Sequence, residues 1–169
     1  RNFGFADYDR VVYVGTNGKM SELSAAFGLT SLESMDEFIA ANRRNHQAYA
    51  AGLAGIPGLK LIEYSEDEPT NYQYVVLEVE ESEAGLSRDQ LQQVLHAENV
   101  LARRYFYPGC HRMEPYRSYF PHAGLLLPVT EALTQRVLSL PTGTAVGPAE
   151  IGRICQIIRD ALVAAPAIK

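Results

Sequence analysis

Apolar residues recur near helical spacing through the first third of the chain, at Leu23, Phe27, Leu32, Met35, Phe38, Ile39, Tyr49 and Leu53. Ser21 is placed to cap the start, and Glu22 suits the positive end of the helix dipole. The pattern predicts one long helix, or two joined near Gly28, running to about Gly55, where Ile56-Pro57-Gly58 stops it. The period then changes. Leu59, Leu61 and Ile62 read as a short strand, Glu63 to Glu68 as an acidic surface loop, and the alternation of Val75, Leu77 and Val79 against Tyr74, Val76, Glu78 and Glu80 predicts a strand over 72–80.

The clearest start signal comes next. Ser87 and Gln90 form a capping box, Leu86 and Leu91 stand where a hydrophobic staple requires them, and Leu91, Val94 and Leu95 give the helix its apolar face. Asn99 suits a left-handed cap. A strand rich in arginine and aromatics is expected over 100–107, ended by Pro108-Gly109. Residues 110–128 show no period and are expected to be mostly loop. A short helix opens at Thr130, Val137 to Leu140 forms a strand ending at Pro141, and a last helix starts at Pro148, with Ile151, Ile154, Cys155, Ile158 and Leu162 on its inner face. Strands alternating with amphipathic helices from 59 to 163 describe an α/β unit, in detail a small α+β domain whose sheet is covered by helices. The long first helix reads instead as a linking element. The division expected is therefore residues 1–55, the end of a larger domain with its linking helix, and residues 56–169, the small domain.

Composition narrows the function classes. The 169 residues are 47% hydrophobic and 21% charged, enough for a buried core, and the net charge of −5 carries no basic stripe. Attraction to nucleic acid or to an anionic membrane is not expected, which leaves small molecules and other protein chains as partners. Cys110 and Cys155 stand far apart and read as free thiols of a reducing cytosol. No signal peptide or spanning segment is visible. The chain opens on Arg1 with RNFGF, and is expected to be part of a longer protein.

Two stretches carry candidate chemistry. The first is GTNGKMSELSAAFGL, residues 15–29, a glycine-flanked polar loop feeding a helix. Backbone N–H groups near Gly15, Asn17 and Gly18, the helix start, and the side chains of Asn17 and Lys19 together suit an anion such as a phosphate. Read locally, Asn17 serves equally as a turn residue and Lys19 as a solvated charge. The second stretch runs from Arg103 through Arg104-Tyr105-Phe106-Tyr107-Pro108-Gly109-Cys110-His111-Arg112 to Glu114 and Tyr116. Guanidinium, phenol and imidazole groups leaving a strand end can pair with a diphosphate, stack on rings and bond hydroxyls; an aromatic strand in the core with arginines reaching outward is the alternative. Cys110 beside His111 lacks the third group a nucleophile pair needs. The four histidines and two cysteines show no metal-ligand spacing. His46 and His96 read as surface or boundary residues, and Tyr72 and Tyr74 as cross-strand packing.

The first stretch closely resembles the G-x-N-x-[RK]-M-S-E-L-x-A-A-x-G-L signature of the sugar aminotransferases of the DegT and StrS type, within the fold type I pyridoxal-phosphate enzymes. Tyr107-Pro108 with His111 and Tyr116 is similar to that family's Y-P-x-x-H-x-x-x-x-Y pattern, and Asn2-Phe3-Gly4, Leu140-Pro141 and the last helix follow in family order. The resemblance implies pyridoxal 5'-phosphate as cofactor, with Asn17 and Lys19 binding its phosphate across a homodimer interface formed by the 15–23 loop and the first helix. It implies Tyr107 and His111 at the sugar site; Arg104 of the second stretch is expected as a further substrate contact because a guanidinium can pair with a diphosphate. The reaction implied is transfer of an amino group from glutamate to a keto group of a nucleotide-linked deoxysugar, in the cytoplasm. The family's cofactor-bearing lysine would lie upstream of Arg1, so the chain is expected to be a C-terminal portion, inactive alone. A sugar dehydratase of the same fold and a non-catalytic interaction module are the alternatives.

Overall fold

The computed structural model describes residues 5–7, 10–12, 15–16, 18–65 and 67–168. It divides into two units, Arg1–Glu37 and Phe38–Lys169. In the first, β1 (Phe5–Asp7) pairs antiparallel with β2 (Arg10–Val11). Helix α1 (Glu22–Glu33) follows, and the hydroxyl of Ser21 accepts a hydrogen bond from the Ser24 N–H at 3.1 Å, the expected cap. The break falls at Ser34, not Gly28. Thr30 and Ser31 turn their hydroxyls back onto the Ala26 and Phe27 carbonyls, which competes with the ladder just before the helix ends. No residue of α1 is buried, and Leu23, Phe27, Leu29 and Leu32 are each more than 60% exposed. The apolar stripe read from the sequence is present, but nothing within the described residues covers it.

Helix α2 (Met35–Leu53) runs into the second unit. That unit therefore begins at Phe38 rather than at residue 56, because Asn45, His46, Tyr49 and Leu53 of α2 are buried in it. The Tyr49 hydroxyl donates to the Pro141 carbonyl at 2.9 Å, and the Asn45 amide donates to the Gly143 carbonyl at 2.9 Å. The unit's sheet holds β3 (Leu59–Leu61), β4 (Val75–Val79), β5 (Arg103–Arg104) and β6 (Val137–Leu140) in the order β3-β4-β6-β5, every pair antiparallel. Leu77 lies opposite Leu61 on one side and Leu138 on the other, so the alternating residues Val75, Leu77 and Val79 face the core.

Helices cover that face. Between β4 and β5 come α3 (Glu81–Ala84) and α4 (Arg88–Ala97); the Ser87–Gln90 capping box forms in both directions, with Leu86 and Leu91 fully buried beside it. The turn into β3 passes so close to α3 that a Cβ on Gly58, at φ 73°, would stand 2.3 Å from the Ala84 nitrogen. Leu91 and Leu95 of α4 share the core with Tyr49, Leu53 and Ile151, Ile154 and Ile158 of the final long helix. After β5, a 3₁₀ turn (Cys110–Arg112) and three helices, α5 (Tyr116–Tyr119), α6 (Ala123–Leu126) and α7 (Pro128–Arg136), lead into β6; α8 (Pro148–Val163) and α9 (Ala165–Ile168) end the chain. In α8 the expected inner face is buried except for Leu162, which is partly exposed.

The strand expected over 100–107 shrinks to two residues. Asn99 takes the left-handed cap at φ 59°, but the Ala102 carbonyl then receives the Gln92 amide at 3.1 Å and His96 Nε2 at 2.7 Å instead of a neighbouring strand. The strand expected from Tyr72 likewise starts at Val75: Tyr72 sits at φ 50°, and the Asn71 side chain accepts from the Gln73 N–H at 3.1 Å to close a turn. His46 is a buried residue, not a surface one. Its ring packs on Tyr64 and Tyr72 at centroid distances of 5.1 and 5.8 Å, and its Nε2 lies 3.1 Å from the Ile62 carbonyl.

Candidate functional site

The opposite face of the sheet presents Val76 of β4 and Val137 of β6, with Ile62 beyond the end of β3, and segment 105–134 arches over it to enclose a cleft of about 1040 Å³. Its rim is aromatic. The Tyr64 hydroxyl donates to the Tyr74 carbonyl at 2.7 Å and accepts from the Tyr74 N–H at 3.2 Å, so that residues 64 and 74 are tied together where no strand joins them. Tyr74 meets Tyr105 edge-on at 5.3 Å and Tyr105 meets Phe106 at 4.9 Å, so three rings line the wall in sequence. Loss of water, followed by the neighbouring phenols Tyr74 and Tyr64, raises the Tyr105 pKa.

His111 is an ionisable residue built into this wall. Its side chain is 8% exposed, and its Nε2 lies 2.5 Å from Glu131 Oε1 on α7. Arg112 Nε reaches the same oxygen at 2.7 Å. The Arg112 hydrogen bond, then that of His111, pulls the Glu131 carboxyl down from the usual carboxylate range to about 2. Because the folded value is depressed, the stabilisation is present above the ordinary value of 4.5 and is lost as the pH falls through about 2. Urea titrations of the chain and of Glu131→Gln at a series of pH values should therefore show a stability gap that is constant at neutral pH and closes between pH 4.5 and 2.

The ring has space only because residue 109 is glycine. Gly109 adopts φ 102°, ψ 143°, and a Cβ there would stand 2.8 Å from His111 Cε1 and 3.0 Å from Nδ1. Gly109→Ala is expected to cost about 2–3 kcal/mol, since the conformation is one that side chains rarely adopt and the imidazole must shift. Chemical denaturation measures the cost, and the His111 ring resonances report the displacement.

The other residues read from the sequence fall in different places. Tyr107 does not line the cleft; the guanidinium of Arg104 lies 4.7 Å from its ring centroid and that of Arg88 5.1 Å. Arg104 turns toward α4, with Nε 3.2 Å from the Gln92 side-chain oxygen and 3.1 Å from Asp89 Oδ1. Asp89 also takes Arg88 Nε at 2.6 Å. These groups form a clamp behind the wall that holds the 105–111 loop. Tyr116 lines the cleft and is half exposed. Sequence reasoning missed Glu131 and Tyr64, which stand 20 residues and 47 residues from His111 in the chain and carry no motif of their own. Cys110 is exposed at the cleft, and Cys155 is buried. Among the described residues, no group of three or more histidine, cysteine, aspartate or glutamate side chains is placed to hold a metal, and no helix is long and apolar enough to cross a membrane.

In the first unit, Gly15, Thr16, Gly18, Lys19, Met20 and Ser21 are exposed ahead of the twelve-residue α1. A cation and a capped helix start make a donor set suited to a phosphate. Asn17 lies outside the described residues.

The profile of the DegT/DnrJ/EryC1/StrS aminotransferase family matches residues 1–159. The chain belongs to that family. Among its relatives, the dTDP-4-amino-4,6-dideoxy-D-glucose transaminases of Shigella dysenteriae and Escherichia coli are 35% and 32% identical over 162 and 158 residues. These alignments take in 95% and 94% of this chain but 43% and 42% of the relatives. The crystal structure of DesI in the presence of its TDP-sugar product superposes with a TM-score of 0.83 at 48% identity, covering 95% of this chain and 40% of DesI. The chain thus spans about two fifths of the length of these DegT/DnrJ/EryC1/StrS relatives. Its helix-covered antiparallel sheet is that of the C-terminal portion of such aminotransferases, and membership implies pyridoxal phosphate as the cofactor.

Proposed function

We propose that this chain is the C-terminal portion of a pyridoxal-phosphate-dependent aminotransferase that moves an amino group from glutamate to a keto group of a nucleotide-linked deoxysugar. The observation that carries the reading is the 48% identity over nearly the whole chain to DesI, a protein crystallised with its TDP-sugar product. In this reading the cleft receives the sugar. Its apolar and aromatic lining suits the deoxygenated face of such a ring, and His111 offers a polar edge. Tyr107 and Arg104 serve the same site from behind, by holding the loop that carries His111.

The loop before α1 holds the cofactor phosphate, with Asn17, Lys19 and the helix start as donors. When bound, pyridoxal phosphate supplies the electron sink that amino transfer needs. Residues up to Glu37 belong in this reading to the cofactor-binding domain, and the exposed face of α1 supports its burial against the rest of that domain and a partner subunit of a homodimer. That face also weighs against a free-standing interaction module. A cytoplasmic location and inactivity of the isolated portion complete the proposal.

The test is the visible absorption of the full-length protein that carries this chain, loaded with the cofactor, before and after adding L-glutamate. Bleaching of the cofactor band is expected. A band that glutamate leaves unchanged would overturn the reading and favour dehydration chemistry on the same fold.

A further inference from the structure

The His111 ring has two nitrogens, and the structure accounts for one. Nε2 lies 2.5 Å from Glu131 Oε1, and the same oxygen receives Arg112 Nε at 2.7 Å. A carboxylate held by a guanidinium has only lone pairs to offer, so the proton between His111 and Glu131 sits on Nε2. In the uncharged form of the ring Nδ1 then carries no proton and is an acceptor. Gly109 packs along the Cε1–Nδ1 edge, close enough that a Cβ there would stand 2.8 Å from Cε1 and 3.0 Å from Nδ1, and Gly109, His111 and Thr134 line the cleft together. Glu131 is itself placed by α7, one turn before Thr134, whose hydroxyl donates to the Glu131 carbonyl at 3.0 Å.

We propose that Glu131 is a positioning residue that fixes His111 in its Nε2–H form, so that Nδ1 is the atom presented to a hydroxyl donor of the ligand in the cleft. The proposal rests on the reading of that cleft as the sugar site. It adds a specificity: the histidine selects a substrate with a hydroxyl at its edge of the cleft over one with a keto or deoxy carbon there, because only the hydroxyl can donate. Loss of that bond costs affinity for the sugar and leaves the glutamate half of the reaction untouched.

Two measurements separate this from a purely structural role. Nitrogen-15 spectra of the His111 ring in the full-length protein should show a protonated Nε2 and an unprotonated Nδ1 at neutral pH, and Glu131→Leu should abolish that single form. With nucleotide-sugar substrate, Glu131→Leu should raise KM about tenfold, the effect of one hydrogen bond, while the rate of bleaching by glutamate stays unchanged. Glu131→Gln, which keeps an acceptor oxygen at the same place, should restore the Nε2–H form and most of the affinity. An Nδ1–H form in the unsubstituted protein overturns the proposal whether or not any variant folds, and so does a KM unmoved by Glu131→Leu. Failure of glutamate to bleach the unsubstituted protein would instead overturn the assigned reaction, and the nitrogen spectra would still decide the tautomer.

Discussion

Arg88→Ala should lower the unfolding free energy by about 3–5 kcal/mol, the effect of removing a buried charged donor and leaving its acceptors unpaired. Arg88 is buried at the first position of α4, and its Nη1 donates to the carbonyls of Thr134 at 3.0 Å and Val137 at 2.8 Å. Those carbonyls stand at the corner where α7 turns into β6, and both residues line the cleft. The guanidinium also lies over the Tyr107 ring, which Arg104 contacts as well. Asp89 is 44% exposed and regains water when its partner is lost, so the cost comes from the two carbonyls, the vacated space and the loosened ring. Arg88→Met, which keeps most of the volume, should recover part of the loss. Urea unfolding of both variants measures it, and a cost below about 1 kcal/mol for Arg88→Ala would show that the corner is held by other contacts.

Leu77→Ala should cost about 3–4 kcal/mol, because the side chain is wholly buried at the centre of the sheet and its removal leaves a cavity that paired strands cannot collapse to fill. The next residue along β4 makes a sharp contrast. Val76 points to the cleft and is only partly buried, so Val76→Ala should cost about 1 kcal/mol or less while changing the lining of the site. If the two substitutions cost the same, the assignment of one sheet face to the core and the other to the cleft is wrong.

The two-faced strand itself was already present in the alternation of residues 75–79, just as the start of α4 was present in Ser87 and Gln90 and the inner face of α8 in the spacing of its isoleucines. These signals are legible because periodicity and capping depend on residues within a turn or a pleat of one another. The glycine-flanked polar loop before α1 reads as an anion site for the same reason, its glycines, Asn17, Lys19 and Ser21 lying within seven residues. Its wording also matched a family, which the profile over residues 1–159 then established.

Segment 110–128 shows where such reading fails. It looked like loop because its helices are single turns, too short to repeat an apolar face. Its order comes from side-chain hydrogen bonds that leave no period in the sequence: Glu114 to Arg117 and Ser118 within a turn, and Glu131 of α7 back to His111 and Arg112. Tyr107 is expected at the substrate from the family's Y-P-x-x-H pattern, and Arg104 from its guanidinium in the same stretch. Their positions behind the wall depend on Arg88 and Asp89, a whole helix earlier.

The sequence by itself determined the elements with a period, the caps that begin them, the face of each that is apolar, and the family to which the chain belongs, all of which follow from residues that are neighbours along the chain. Only the tertiary structure decided that Glu131 holds His111, that Tyr64 ties to Tyr74, and that Gly109 makes room for the imidazole. The physical reason is that a cleft is made where a sheet face and a later segment close on each other, and the side chains that meet there share no spacing in the sequence.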